Sequence, residues 1–553
     1  MKSLLYILAA LLLARGCKKK DPPSPPAPPA QLTVSSVQLN GAAMADNAIN
    51  INRQPLIRVQ FSEAVNRSTL PAAVKLTAAV GSPALNISYE NNDAVVVIQP
   101  STPLNALTRY NFSIDNSVKS AKGGQFISTV NYNFTTQIDS SRKFPVISDD
   151  ALLTLVQQQT FKYFWDFAHP VSGLARERNT SGDVVTMGGS GFGVMAIVSG
   201  IHRSFITRQQ GLARMQTIVG FLKNNAQKFK GAFPHWMNGI TGAVVPFSTK
   251  DNGADLVETS FLMMGLLTAR QYFDGTDAAE TNLRNDITAL YNAVEWSWFR
   301  KNNENVLYWH WSPNFNWDIN LQIRGWNECL VTYVLAASSS TFGIPAAVYT
   351  NGFTNNGNPP FKNGNSYYGY QLPLGEANGG PLFFAHYSFL GINPNGLNDV
   401  NANYLTQNKN HSLINYNYCR TNPRGYFGYS DSVWGLTASD IPNGYTASSP
   451  ANDVGVIAPT AALSSFPYTP TESMKALKFF YYVLGDKLWK EYGFVDAFSL
   501  KDTWFASSFL AIDQGPIIVM IENHRSGLLW NLFTSCPEIK NGMRALGFTA
   551  PYL

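Results

Sequence analysis

The chain has 553 residues, 45% of them hydrophobic, 13% aromatic and only 14% charged, which suits two or three folded domains and not a single core. Lys plus Arg number 41 against 36 Asp plus Glu, a formal +5, but Lys2, Arg15, Lys18, Lys19 and Lys20 against Asp21 put about +4 of that into residues 1–31. The remainder is nearly neutral, which argues against nucleic acid as a partner, and composition excludes collagen-like, disordered and coiled-coil classes.

In chain order, residues 1–17, MKSLLYILAALLLARGC, form a leader with a charged start and an apolar run of about eleven residues. That run is shorter than the ~20 residues needed to span a bilayer and suits a signal peptide. Gly16-Cys17 resembles a bacterial lipobox, which implies Cys17 as a lipidation site; a cleaved signal with an incidental cysteine is the alternative. Residues 18–31 are Pro-rich and predict an extended tether. A lipid anchor followed by a tether predicts a protein of the cell envelope, periplasmic or on the outer-membrane surface, held to the membrane through the anchor alone. The remaining Cys329, Cys419 and Cys536 are an odd, widely spaced set, read as buried free thiols.

Residues 32–138 alternate apolar and polar positions in QPLIRVQFSEAV, DAVVVIQP, TRYNFSI and VNYNFTT, with turn residues about every ten positions. This predicts an all-β sandwich, and QFSEAVN with the late YNFTT strand resembles bacterial Ig-like domains. A spacer or adaptor role is expected, with glycan binding as the alternative. From 145 to 553 the apolar period becomes helical, with helices expected near 150–168, 190–203, 207–225, 254–273, 277–300, 327–340, 382–391, 400–418, 453–465, 471–490, 516–532 and 537–546. The fold class is therefore mainly α, and about twelve helices fit six helical hairpins closed into an (α/α)6 toroid.

Asp251, Asp255 and Glu258 stand at i, i+4 and i+7, a spacing that stacks three carboxylates on one helical face. In a cleft such neighbours shift one another's pKa and separate acid from base roles; alternatively Asp251 caps the helix and Asp255 pairs with an arginine. Residues 308–330 carry Trp309, Trp311, Trp317 and Trp326 beside His310, Asp318, Arg324 and Glu328. Indoles are flat platforms for sugar rings, and Glu328 opens an apolar helix whose dipole favours a carboxylate. A looser set comprises His386, Tyr387, Tyr429, Asp431, Trp434, Asp440, Trp504, Asp513, Gln514, Glu522 and His524. Asp513 is read as lying in an AIDQGP loop directly before a helix, where capping is the alternative; lone His386 and His524 are more often structural. The chain has no G-x-S-x-G elbow, H-E-x-x-H, P-loop or dinucleotide fingerprint. Carboxylates among aromatics fit glycosidic cleavage.

GSGFGVMAIVSGIHR (189–203), GAFPHWMNGITG (231–242), DNGADLVETSFLMMGLLTARQYF (251–273), YWHWSP, GWNECLVTYVLA, GPLFFAHYSFLG and AIDQGP with ENHRSGLLW together resemble the bacterial glycoamylase-like family. The family contains endo-β-1,2-glucanases on an (α/α)6 toroid. The resemblance implies an inverting glycoside hydrolase without metal or organic cofactor, acting on a glucan and expected as a monomer. It makes Glu328 the general acid and Asp513 the candidate on the base side, with Asp255 and Glu258 also counted as catalytic. Asp251, His235, Trp236, Trp309, Trp311, Trp326, His386, Tyr429, Trp434 and Trp504 become substrate-binding candidates. Hydrolysis of another β-glucan or a heteroglycan, and glycan binding without turnover, are the competing functions; a lyase is less attractive for so neutral a domain.

Overall fold

The computed structural model describes residues 26–553. The expected leader, Cys17 and residues 18–25 of the tether lie outside the described residues, and residues 26–31 carry no regular secondary structure. Two compact units follow one another, divided between Ile138 and Asp139.

The first unit is built from nine strands: β1 Val34–Leu39, β2 Ala42–Ala43, β3 Ala48–Ile51, β4 Ile57–Phe61, β5 Val74–Thr77, β6 Leu85–Glu90, β7 Val95–Pro100, β8 Arg109–Ile114 and β9 Val130–Thr136. They form a five-stranded sheet, β2-β1-β4-β7-β6, and a four-stranded sheet, β3-β9-β8-β5. All pairings are antiparallel except β3 with β9. The two-residue side-chain period of a strand explains the register: in IRVQF, Ile57, Val59 and Phe61 point inward while Arg58 and Gln60 stay half-exposed. With Ile98, Phe112 and Phe134 they fill the core, each contributing about 1.5–3 kcal/mol by leaving water.

The second unit, Asp139–Leu553, is mainly helical. Its centre is three helices, Met187–His202, Leu256–Tyr272 and Ala511–Ser526, the first packing on both of the others. The first two are mainly apolar in sequence, and all three bury most of their residues, the third including Asp513, Gln514, Glu522 and Asn523. Close approach is licensed by small residues: a Cβ on Gly191 would stand 2.2 Å from the Phe261 carbonyl oxygen, and one on Gly265 2.1 Å from that of Gly191. Amphipathic helices such as Arg208–Asn224 and Ala278–Asn292 bury one face only. The first of these starts at a Thr207–Gln210 capping box.

Several expected helices change form. The 471–490 segment divides into Pro470–Lys478, a wider π turn Phe479–Val483 and Gly485–Leu488, and 382–391 divides into Phe383–His386 and Ser388–Leu390. The expected 453–465 helix is reduced to Pro459–Leu463. The expected 516–532 helix instead begins at Ala511, carries Pro516 inside, and ends at Gly527, whose φ of +69° is the left-handed stop that glycine tolerates. Proline near a helix start removes one backbone donor and need not begin the helix. Asp513 is therefore a first-turn residue and not a loop residue.

Candidate active site

Short strands between the helices place most of the chemistry. Val184–Thr186, Trp236–Asn238 and Val244–Val245 form one small sheet, which holds His235 and Trp236 at the mouth of the Met187–His202 helix. Ala254–Asp255 pairs with His310–Trp311, Asp255 standing opposite His310. This corrects the expectation of three carboxylates on one helical face. Asp251 and Asp255 precede the helix, and Asp255 is its cap, with Oδ1 accepting from the Val257 and Glu258 amides at 2.9 Å each. An extended cap residue can pair with a neighbouring strand, and that pairing brings His310 to the two aspartates.

The result is a buried charge cluster. Asp255 Oδ2 lies 3.0 Å from His235 Nδ1, 3.5 Å from His310 Nε2 and 3.2 Å from the Trp309 indole nitrogen, which donates to it. Asp251 Oδ2 lies 3.3 Å from His310 Nε2. Burial would raise Asp255, but hydrogen bonds and charge from the two imidazoles hold it well below the usual carboxylate range. Burial would lower His235, but Glu258, Asp255 and Asp251 outweigh it and raise it to about 9. Burial and the Asp255 charge push Asp251 up to about 6. His235, Asp251 and Asp255 bring ligand-type atoms within 4.8 Å of one another. The Trp309 N–H aimed at Asp255 Oδ2, together with two imidazoles that favour their protonated forms, makes this a proton-bridged cluster.

Above the cluster lies a cavity of about 440 Å³. Glu328, Glu258, His235, Trp236 and Trp309 line it, with Phe247, Phe261, Phe383 and Tyr387 as apolar wall and Glu177, Arg178 and Tyr445 at another side. Glu258 accepts the Gly188 amide at 2.6 Å, and a Cβ on Gly188 would stand 2.7 Å from that carboxylate, so glycine makes the approach possible. Glu328 sits in the turn before the Leu330–Ser338 helix. Its carbonyl accepts from the buried Ser388 hydroxyl, which in turn accepts the Val331 amide at 2.9 Å, so the backbone beneath the side chain is fixed from two directions. No cation contacts the Glu328 carboxyl among the described residues; burial, with the Glu258 and Asp255 charges behind it, raises it to about 7.

Asp513 reaches the same region from below the surface. Leu510 and Ile512 line the cavity, while Asp513 itself is 2% exposed. Tyr387, which lines the cavity, feels the charges of Asp513, Glu328 and Glu258.

Other candidates are elsewhere. Trp434 is fully buried and donates to the Glu472 carbonyl at 3.2 Å; it is a core residue. His386, 2% exposed and 3.0 Å from the Ser465 hydroxyl, is lowered to about 3 by burial and stays neutral. Tyr429 donates to Asp453 at 2.8 Å, and buried Trp326 packs on Phe389 and Tyr404. Trp311 packs edge-on against Trp298. Glu522 is locked by Arg203 at 2.7 and 2.9 Å. Trp504 lines a separate polar hollow of about 360 Å³ that shares Arg178 with the main cavity. Asp251 is buried against His310 and does not line the cavity. Trp434, His386 and Trp326 are buried in packing, and Glu522 and Asp251 in ion pairs, uses that periodicity alone does not distinguish from binding. Conversely, Glu177, Arg178, Tyr445 and Asp496 had no motif signal: they come from loops and a short hairpin, Ala438–Ile441 with Gly444–Ala447, that only tertiary packing brings in. Cys329, Cys419 and Cys536 are buried and free.

Residues 320–537 match the family model described as "Putative glucoamylase", and 34–136 match a bacterial Ig-like domain model. The solved endo-β-1,2-glucanase of Chitinophaga pinensis is 51% identical, covers 74% of this chain and 100% of its own, and superposes with a TM-score of 0.72. The chain belongs to the glycoamylase-like family. A second solved family member, the β-1,2-glucanase of Parabacteroides distasonis, is 38% identical over 94% of this chain and 74% of its own, with a TM-score of 0.71. A curated family member from the same organism, an exo β-1,2-glucooligosaccharide sophorohydrolase acting at the non-reducing end, is 46% identical over 438 residues. Those residues are 75% of this chain, which spans 60% of that relative's length. Among the described residues no helix is long and apolar enough to cross a membrane.

Proposed function

We propose that this chain is an inverting glycoside hydrolase that cleaves β-1,2-glucan internally and releases sophorooligosaccharides. The observation that carries the reading is Glu328: a carboxyl raised to about 7 beside an indole-walled cavity keeps its proton at neutral pH and can give it to a glycosidic oxygen. Trp236 and Trp309 offer ring faces to the sugars, and Glu258 and His235 offer polar groups to their hydroxyls. Asp255 touches no cavity surface and acts as a positioning residue, orienting His235 and Trp309. Asp513 takes the proton of the attacking water, through an intervening water or sugar hydroxyl because its carboxyl lies below the surface.

The helical unit is read as an (α/α)6 toroid, supported by its central layer of apolar helices and its flanking amphipathic ones. The Cys17 motif supports a lipid-anchored protein of the cell envelope, with the Ig-like unit as spacer. Incubation with linear β-1,2-glucan and a panel of other glucans tests the function. New reducing ends from β-1,2-glucan, as mixed short oligomers with the inverted anomer formed first, are expected; none from any glucan would refute hydrolysis. The sophorohydrolase relative motivates a second reading, exo release of sophorose, which predicts disaccharide alone from the earliest time points.

A further inference from the structure

The base side of the cleft holds a second acid that no motif indicated. Asp496 and Asp513 are each 2% exposed, and their carboxyls face one another within hydrogen-bonding reach. The donors around them can be followed one by one. Asp496 Oδ2 accepts the Asp440 amide at 2.7 Å, but Asp496 Oδ1 and Asp513 Oδ2 have no donor. The charged and titratable groups facing the pair are Asp440, Glu177, Arg178, Tyr445 and Tyr387. Arg178 is already engaged, at 3.0 Å to Glu177 and 3.2 Å to Asp440. The Ser508 hydroxyl is engaged too, donating to Asp440 Oδ2 at 2.5 Å. Among the described residues no other donor is left to join the two carboxyls.

Two ionised carboxylates in contact, out of water and without a donor between them, repel strongly; one proton turns the same contact into a charge-assisted hydrogen bond. We propose that Asp513 and Asp496 share a single proton and form the base side of the cleft together, with Asp496 as the positioning residue. Burial, followed by the Asp496 charge, pushes Asp513 well up, and burial pushes Asp496 up to about 7, as such a pair requires. The Asp513 backbone is pinned by the Thr460 hydroxyl, which donates to its carbonyl at 2.8 Å, so the contact is held by the fold.

In the proposed reaction the water O–H breaks and its proton passes to the pair, which then holds two protons. The hydroxyl oxygen bonds the anomeric carbon, the bond to the glycosidic oxygen breaks, and that oxygen takes the Glu328 proton. This step rests on the hydrolase reading; the shared proton does not.

Two measurements on the full chain test it. Infrared titration of protonated carboxyls between about pH 5 and about pH 9 reads the pair without activity. The wild type is expected to keep one carboxyl proton to high pH. Asp496→Asn and Asp513→Asn should each release that last proton at least about one pH unit lower, because removing either charge relieves the other acid. An unmoved last step in both variants overturns the proposal. In the second measurement, Asp496→Ala should raise the acid limb of kcat/KM on β-1,2-glucan by at least about one pH unit, and Asp496→Asn, whose amide replaces the lost donor, should return it. An acid limb that stays fixed in Asp496→Ala overturns the base role of the pair. If the wild type cleaves no glucan while the infrared step shifts as expected, the hydrolase reading fails and the shared proton stands.

Discussion

Glu328 and Asp255 are carboxyls enclosed beside the same cavity, yet their surroundings drive them in opposite directions. Around Glu328 the wall is largely apolar and the charges that bear on it are the acids Glu258 and Asp255, so burial outweighs the one backbone hydrogen bond that opposes it and the group keeps its proton to about pH 7. Asp255 is more deeply enclosed, but His235, His310, Trp309 and two helix amides all direct hydrogen toward it, and it stays ionised. Burial alone does not set the protonation of an acid; the donors that come with burial do. In the proposed reaction one wall of the site is thus the proton source and the layer behind it a fixed anion.

The largest expected effect comes from breaking the anion. Asp255→Asn leaves two imidazoles facing a neutral amide and should cost roughly 3–5 kcal/mol of stability, read from denaturant unfolding. A loss below about 1 kcal/mol would mean that the imidazoles are neutral and that the contrast with Glu328 has another cause. Next comes the source. Glu328→Gln should leave the fold intact and lower turnover at least about 100-fold, since an amide cannot donate a proton of the required acidity. Turnover near wild type would remove Glu328 from the acid role. The same contrast sets the alkaline limb: the active form of Glu328 is protonated, so kcat/KM should fall about tenfold per unit as pH rises past about 7. A limb set instead by an ordinary carboxylate value would show that the wall is wet. The smallest effect concerns an indole outside the site. Trp434→Phe should lose about 1–2 kcal/mol of stability while kcat/KM stays within about twofold, because that ring fills the core.

Much of the architecture was legible without coordinates. The change from a two-residue to a helical period separates the strands ending at Thr136 from the helix starting at Asp149, since each period reflects which side chains share a face. Glu328, Glu258, Trp236 and Trp309, singled out from motifs that cluster polar and aromatic residues, line the same cavity. The reading failed where local pattern and tertiary use part. Trp434, His386 and Tyr429 sit in aromatic motifs like those of the site but face inward. Asp251 and Asp255 have helical spacing without being helical, because Asp255 joins a strand pair with His310.

The sequence by itself determined the two kinds of unit, the family and the acidic and aromatic residues from which a site can be made, because period, composition and motif are local properties of the chain. Tertiary structure alone decided which acids keep protons. Glu328 meets no counter-charge among the described residues, Asp255 gained two imidazoles from 20 and 55 positions away, and Asp513 faces Asp496 across a stretch that holds the Phe498–Ser499 and Trp504–Phe505 strand pair. A carboxyl's pKa depends on the charges and donors within a few ångströms, and chain folding, not chain order, chooses those neighbours.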